Sequence, residues 1–498
     1  MSAIITEKFR QHNATQFVES FTEASASTYY LFLGKATGFT SSTTGGTDSS
    51  PPTPADSVKD EAFSWDSMLG AKLITSNDIK NSIPRRNWAN GTIYDMYEHD
   101  ISASNSTTSG ASNLYDSTFY FVTSDYRIYK VLDNNGGTAY SGSEPTSEST
   151  SPFTLGGYIL KYMYSISTSD FAKYGTSDFV PVTTDSTVSD AAVDGGIESL
   201  IVTGGSGYTD GTYYAAVYGD GTSQGTSSGA VVRITISGGA IADFGLSAGT
   251  DTTINSTGAG YTFGYVNLGA TFTFSDTALT TASSIGSGSG GAISVIISPK
   301  GGHGNDAVKE LGGHYVMAAV TLTQAEGDDF TTANDFRSVG LVVDPTNYGT
   351  TTVATATTRR QTYVVKVDTN SGTFEADEVI TQASTGAVGK VVEWDSTLSL
   401  LYYQQESYKG FGTNATSGGY VAFSGTNTIT GATSSATGTT SGTTETVTLE
   451  NANTLSLTSG YVNPELQPDT GNIIYLENRK PIQRASDQTE DIKIIIEF

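Results

Sequence analysis

Apolar residues in this 498-residue chain come in short bursts separated by Gly, Ser and Thr, and the bursts carry two periods. Near the start, Ile5, Phe9, Phe17 and Phe21 recur at multiples of four with Asn13 in the gap, which predicts one stripe of an amphipathic helix. Residues 28–34 (TYYLFLG) read as a buried strand. Trp65, Met68, Leu69, Lys72 and Leu73 return to helical spacing, with Ser57 and Asp60 as a capping start and Gly70 weakening the end. Ile83 precedes a proline, so 83–88 (IPRRNW) is expected to be extended. Residues 119–123 and 126–132 form a predicted hairpin across Ser124-Asp125. Residues 158–167 (YILKYMYSIS) alternate, with Tyr158, Leu160, Tyr162 and Tyr164 on one face. A further strand is predicted at 316–322 and a helical turn at 306–311. At the end of the chain, apolar runs at 473–476 and 492–496 flank a charged connection with Pro481. The second run is too apolar to leave in water and is expected to be a strand locked into the core.

Punctuation then divides the chain. The composition shifts near Asp185, and 195–297 is Gly-rich with short β-like pieces; 204–209 (GGSGYT) is echoed by 258–262 (GAGYT). A second Thr/Gly-rich region runs from about 350 to 459, where 373–392 and 422–440 share a rhythm of Phe, Ile-Thr and a small-residue turn. The simplest architecture is mainly β. A discontinuous core over 1–185, 299–349 and 459–498 would carry inserted β-modules at 186–298 and 350–458, since loop closure costs grow slowly with insertion length.

Charge narrows the functional classes. With 25 basic and 51 acidic residues the net charge is −26, so there is no basic footprint for nucleic acid and no attraction to anionic membranes. The excess favours solubility and suits a basic partner, or is simply a solvated acidic surface. The absence of cysteine removes disulfides, thiolate metal sites and cysteine catalysis. The first residues lack an apolar signal core and no run approaches a membrane span, which points to assembly in a cytoplasm. His303 lies in a Gly-rich turn and reads as a loop histidine; its distance from His314 fits no zinc spacing. Asp210-Gly211 and Asp220-Gly221 read as turns, and nothing singles out Glu375 and Glu378 as a glycosidase pair. No catalytic, cofactor-binding or metal residue is assigned, and no cofactor is expected.

The candidates are instead interface residues. Arg85, Arg86 and Trp88 combine contact area with directional hydrogen bonding. The competing reading puts Trp88 in the core and pairs the arginines with local carboxylates. Tyr475, Glu477, Asn478 and Arg479 flank the closing strand, where Glu477 and Arg479 pair within the chain or across chains.

These same segments carry a family resemblance. Tyr475, Glu477, Asn478, Arg479, Pro481, Ile482, then Asp487-Gln488-Thr489-Glu490 and the final Phe498, resemble the C-terminus of the dimer-forming baseplate wedge proteins of T-even-type contractile-tailed phages. Residues 5–10 (ITEKFR), 29–34, 83–88, 129–133 and 157–164 are similar to that family in order and spacing, with Asn87 where the family has Asp. The resemblance covers about the first 185 residues and the last 40, and the Gly/Thr-rich regions match nothing in it. It implies a two-layer β-sandwich with a few short helices. It also implies a non-enzymatic homodimer that joins other wedge proteins, six wedges around a hub, in a virion baseplate that rearranges when the tail contracts. Two alternatives stand beside it. One is a tail protein binding host-surface glycans through the Tyr-rich modules. The other is a depolymerase, for which no catalytic constellation is present.

Overall fold

The computed structural model describes residues 6–40, 45–245, 250–269, 284–323, 330–332, 334–407, 420–449, 452–485 and 489–498. Ile5, Asp487 and Gln488 lie outside the described residues. The fold is mainly β, with several antiparallel sheets and a few short helices. It divides into two compact units, one of 1–17, 80–317 and 495–498 and one of 18–79 and 318–494.

The first unit is built on tyrosines. Strands Tyr120–Val122, Arg127–Asp133, Tyr158–Ser165 and Phe153–Leu155 form a four-stranded antiparallel sheet in that order. The predicted hairpin is present, with Tyr120 opposite Lys130 and the turn closed by Tyr126 at φ 62°. Alternation along Tyr158–Ser165 does not translate into one wet face, because every residue from Tyr158 to Tyr164 is buried. Burial on both sides is tolerable because the hydroxyls find partners: Tyr158 donates to Thr138 O (2.7 Å) and Tyr164 to Pro181 O (3.2 Å).

The Gly-rich part of this unit pairs Ile197–Thr203 with Ala292–Ile297 and Gly211–Gly219 with Ala230–Ser237. Its core also takes in Leu132 and Ile159. The echoed Gly-x-Gly-Tyr-Thr segments do the same local job. The Tyr208 hydroxyl accepts from Gly291 N (3.0 Å) and the Tyr261 hydroxyl from Ala230 N (3.2 Å). Each ring lies against a glycine: a Cβ on Gly288 would stand 2.4 Å from the Tyr208 ring, and one on Gly221 2.3 Å from the Tyr261 ring.

Helix Glu7–Glu19 forms where the first stripe predicts it, but the stripe is not its buried face. Phe9 is exposed, while Gln11 and Ala14 are buried. The helix is held instead at its ends. The Arg10 guanidinium bonds the Phe498 carbonyl and the Glu497 carboxylate, and Phe17 packs on the Phe498 ring (5.3 Å).

The second unit contains a five-stranded antiparallel sheet, ordered Thr358–Arg360, Met68–Ile74, Tyr29–Gly34, Asp335–Val343, Asn472–Gln483. All six residues of Tyr29–Gly34 are buried, as its unbroken apolar run predicts. Helix Val58–Ser67 begins at the predicted cap, with the Ser57 side chain accepting from Asp60 N. It then stops at Ser67. The spacing that predicted a helix through Leu73 is overridden, because Met68–Ile74 pairs with Tyr29–Gly34 and Met68 to Ala71 are buried on both faces.

Beyond this sheet, strands Tyr363–Ser371, Val379–Gln382, Ala387–Asp395, Leu400–Gln404, Thr428–Gly431 and Thr437–Thr440 close into a barrel, because Tyr363–Ser371 pairs both Leu400–Gln404 and Thr437–Thr440. Its core holds Phe374, Ile380, Ala387, Phe423, Ile429 and Ala436. The last three repeat the first three 49 positions later. The strand pair joining the two hairpins sets Thr381 opposite Thr430, which are equivalent positions of the two copies. An internal two-fold axis therefore runs between them.

Strands Tyr315–Leu322 and Glu490–Glu497 are neighbours in a four-stranded sheet with Ile79–Pro84 and Phe179–Pro181. Glu490–Glu497 is an edge strand whose only buried residue is Ile494. Pairing ties it down, and the expected deep burial is not found.

Candidate functional site

Arg85, Arg86 and Trp88 follow strand Ile79–Pro84 out of its sheet. The backbone there is clamped on both sides of Val122, with Val122 N donating to Arg86 O (2.7 Å) and Trp88 N to Val122 O (2.8 Å). Arg85 lies over the Phe171 ring (5.1 Å) and donates to Asn87 Oδ1 (2.8 Å) and Thr176 O (3.1 Å). Arg86 lies over Tyr120 (4.4 Å) and donates to Tyr115 O (2.7 Å). Trp88 meets Tyr140 edge-on (5.9 Å). The arginines thus hold carbonyls and rings rather than carboxylates. Arg86 Nη1 and Trp88 Nε1 are buried donors with no partner among the described residues.

Tyr475, Glu477, Asn478 and Arg479 belong to the other unit, on strand Asn472–Gln483. The Tyr475 hydroxyl donates to Glu477 Oε2 (2.7 Å), and Arg479 Nε stands 3.4 Å from Glu477 Oε1. Burial and the neighbouring Glu477 carboxylate push the Tyr475 hydroxyl well above its ordinary range, so it stays a donor. Glu477 and Arg479 are 44% and 47% exposed, so their mutual attraction is weak in water. Asn478 points to the opposite face. It accepts from Ser338 Oγ (2.7 Å) and donates to Pro52 O (3.0 Å).

One constellation has no local sequence signal. Lys130 Nζ is fully buried between Glu310 Oε2 (2.9 Å) and His303 Nδ1 (2.9 Å), over the Tyr97 ring (3.9 Å). His303 does sit in a turn, but it is buried rather than solvated. Burial, with Lys130 and Lys161 nearby, holds its pKa well below the ordinary value, so the imidazole is neutral. Burial also lowers Lys130, opposed by Glu310. Glu310 Oε1 is further tied by Gly304 N and Asp306 N, while His303 Nε2 has no partner among the described residues. In the second unit, Glu378 and Glu375 do not form a catalytic pair: one carboxylate oxygen of Glu378 accepts from Glu375 N (2.8 Å) and from Ser434 Oγ (2.7 Å). A cavity of about 150 Å³ beside the barrel is lined by Trp65, Tyr363, Gln405 and Tyr420. No group of three potential metal-binding side chains occurs among the described residues.

Residues 3–144 and 444–498 match the sequence family described as Phage-Gp8: Bacteriophage T4, Gp8. A search of curated proteins returned no match. The family match supports a T4-like baseplate wedge protein, with a structural role in the virion tail baseplate. Both groups of interface candidates fall within the matched segments, and most of the Gly/Thr-rich sequence falls outside them.

Proposed function

We propose that this protein works in the baseplate wedge as a homodimer. It joins neighbouring wedge proteins during assembly, in the host cytoplasm, of a virion tail baseplate. Its part in tail contraction is mechanical: interfaces stable in one state are exchanged for others in the next. The role needs no cofactor and involves no catalytic step. The carrying observation is that the match to the phage family comes from both ends of the chain, 3–144 and 444–498. Residues 186–298 and 350–458 are read as inserted modules that decorate the baseplate or contact neighbours.

Quantitative mass spectrometry of tails purified from intact particles tests this reading, with copy number referenced to the hub. About twelve copies, two for each of six wedges, is the expected result. A copy number in threes that differs from twelve, with the protein lost from tails stripped of their fibres, would overturn it in favour of a receptor-binding tail protein.

A further inference from the structure

The edge of the five-stranded sheet carries an inference that deepens the dimer reading and rests on it. Strand Asn472–Gln483 is last in that sheet; its ladder is regular over Tyr475–Asn478 and shifts register on either side, and Ile474 on it is 46% exposed. A long edge with apolar residues is a template for another strand unless something blocks it.

The hydrogen-bonding direction of each residue can be read from the ladder. Asp344 N donates to Thr28 O (2.7 Å), continuing the unbroken register that sets Tyr29 opposite Val343. Bonded and non-bonded pairs alternate in an antiparallel ladder. Ser338, Gly340 and Val342 therefore turn their backbone groups toward Tyr29–Gly34, and Val339 and Leu341 turn theirs toward Asn472–Gln483. Val339 stands opposite Glu477, and Leu341 opposite Tyr475. Glu477 and Tyr475 thus bond inward, while Leu476 and Asn478 direct N–H and C=O out of the sheet. Among the described residues, no backbone bond outside the sheet engages either one.

We propose that this edge is the dimer surface, with a second copy of Asn472–Gln483 pairing antiparallel about a two-fold axis at Asn478. In that register Asn478 faces its own copy as a bonded pair, which supplies two backbone hydrogen bonds. Glu477 of each chain then faces Arg479 of the other in a non-bonded pair, where side chains come closest. Pro481 lies in the register shift that follows Asn478, so its missing N–H takes nothing from the regular ladder about the axis. The local sequence is self-complementary in charge about Asn478, and that selects a second copy as the occupant. It matters because two chains of net charge −26 repel at long range and need opposite charges where they meet. Asn478 is already fixed for the role by Ser338 and Pro52 on the sheet face.

Sedimentation velocity on the full chain tests the pairing, with circular dichroism confirming that each variant is folded. The wild type is expected to sediment as a dimer. Glu477→Arg places only arginines across the axis, and Arg479→Glu only glutamates. Each is expected to weaken self-association by about tenfold or more. An equimolar mixture of the two variants restores opposite pairs and is expected to recover wild-type dimerisation as a heterodimer, which a role confined to one chain cannot do. Wild-type dimerisation by either variant alone, or failure of the mixture to recover, overturns the edge pairing while leaving the homodimer standing. A wild-type chain that stays monomeric at every concentration overturns both.

Discussion

Asp133 shows how little a single position reveals before its surroundings are known. It ends a tyrosine-core strand, is buried, and accepts one bond from Asn135 N (2.8 Å). Burial pushes its carboxyl up to about 7, helped by Asp243 and opposed by that one bond. The folded state therefore holds a proton that the unfolded state releases near pH 4. The contribution to stability is complete below pH 4 and is lost as pH rises through about 7. Asp133→Asn keeps the acceptor and removes the charge. It is expected to melt like wild type at pH 4 and to be more stable by about 2 kcal/mol at pH 8, checked by thermal denaturation at both pH values. Nothing in the sequence around Asp133 announces this. The same holds for Lys130, whose partners His303 and Glu310 lie 173 and 180 positions away. Arg85, Arg86, Trp88, Tyr475, Glu477, Asn478 and Arg479 were legible as candidates because their residue types are suited to interfaces. The Glu477–Arg479 pair was legible too; the distant carbonyls and rings around Arg85, Arg86 and Trp88, and the Ser338 and Pro52 partners of Asn478, were not, since they come from other segments.

At the scale of elements, local pattern succeeds where a segment is uniform and fails where two elements share one rhythm. Tyr29–Gly34, Tyr315–Leu322 and the hairpin ending in Asp133 are continuous apolar runs or runs bounded by turn residues, and all three form as expected. Trp65 and Met68 keep helical spacing across the boundary where the helix ends, so the spacing conceals the change. Burial of Met68–Ala71 on both faces erases the alternation that would mark a strand. The barrel hairpins showed a shared rhythm, but closure depends on Tyr363 meeting Tyr403 across the intervening strands, which no local window contains. Within it, Glu378 crosses from one hairpin to the turn of the other. It accepts from Thr433 N and Ser434 N (both 3.0 Å), and these bonds hold its carboxyl below the usual range against its burial. That contribution is present above the ordinary glutamate value and is lost as pH falls through the lowered one. Glu378→Ala strands several turn donors and is expected to cost about 3 kcal/mol at pH 7, with Glu378→Gln costing about half as much. Chemical denaturation of the two variants measures both, and an Ala variant as stable as wild type would remove the cross-hairpin bond from the account.

The whole molecule adds what neither residues nor elements contain. The acidic excess and the lack of cysteine narrow its possible roles, but the division into units follows long-range pairing. The barrel has its own core and no open path around its six strands. A fragment of residues 361–462 is therefore expected to fold alone, with a cooperative melt and dispersed amide resonances. A fragment that remains a random coil would show that the barrel depends on the rest of its unit. Thr381 opposite Thr430 has a further consequence for the history of this barrel. A strand that meets its own later copy across a two-fold axis is the arrangement that tandem duplication of a short gene segment would leave. Such a duplication creates a finished core in one step, because every apolar residue arrives with its counterpart already in register. The copies have since diverged: Glu378 and Gln382 of the first stand where the second has Asn427 and Gly431. Neither hairpin can replace the other, since the symmetry holds in the backbone pairing while the side chains perform separate tasks.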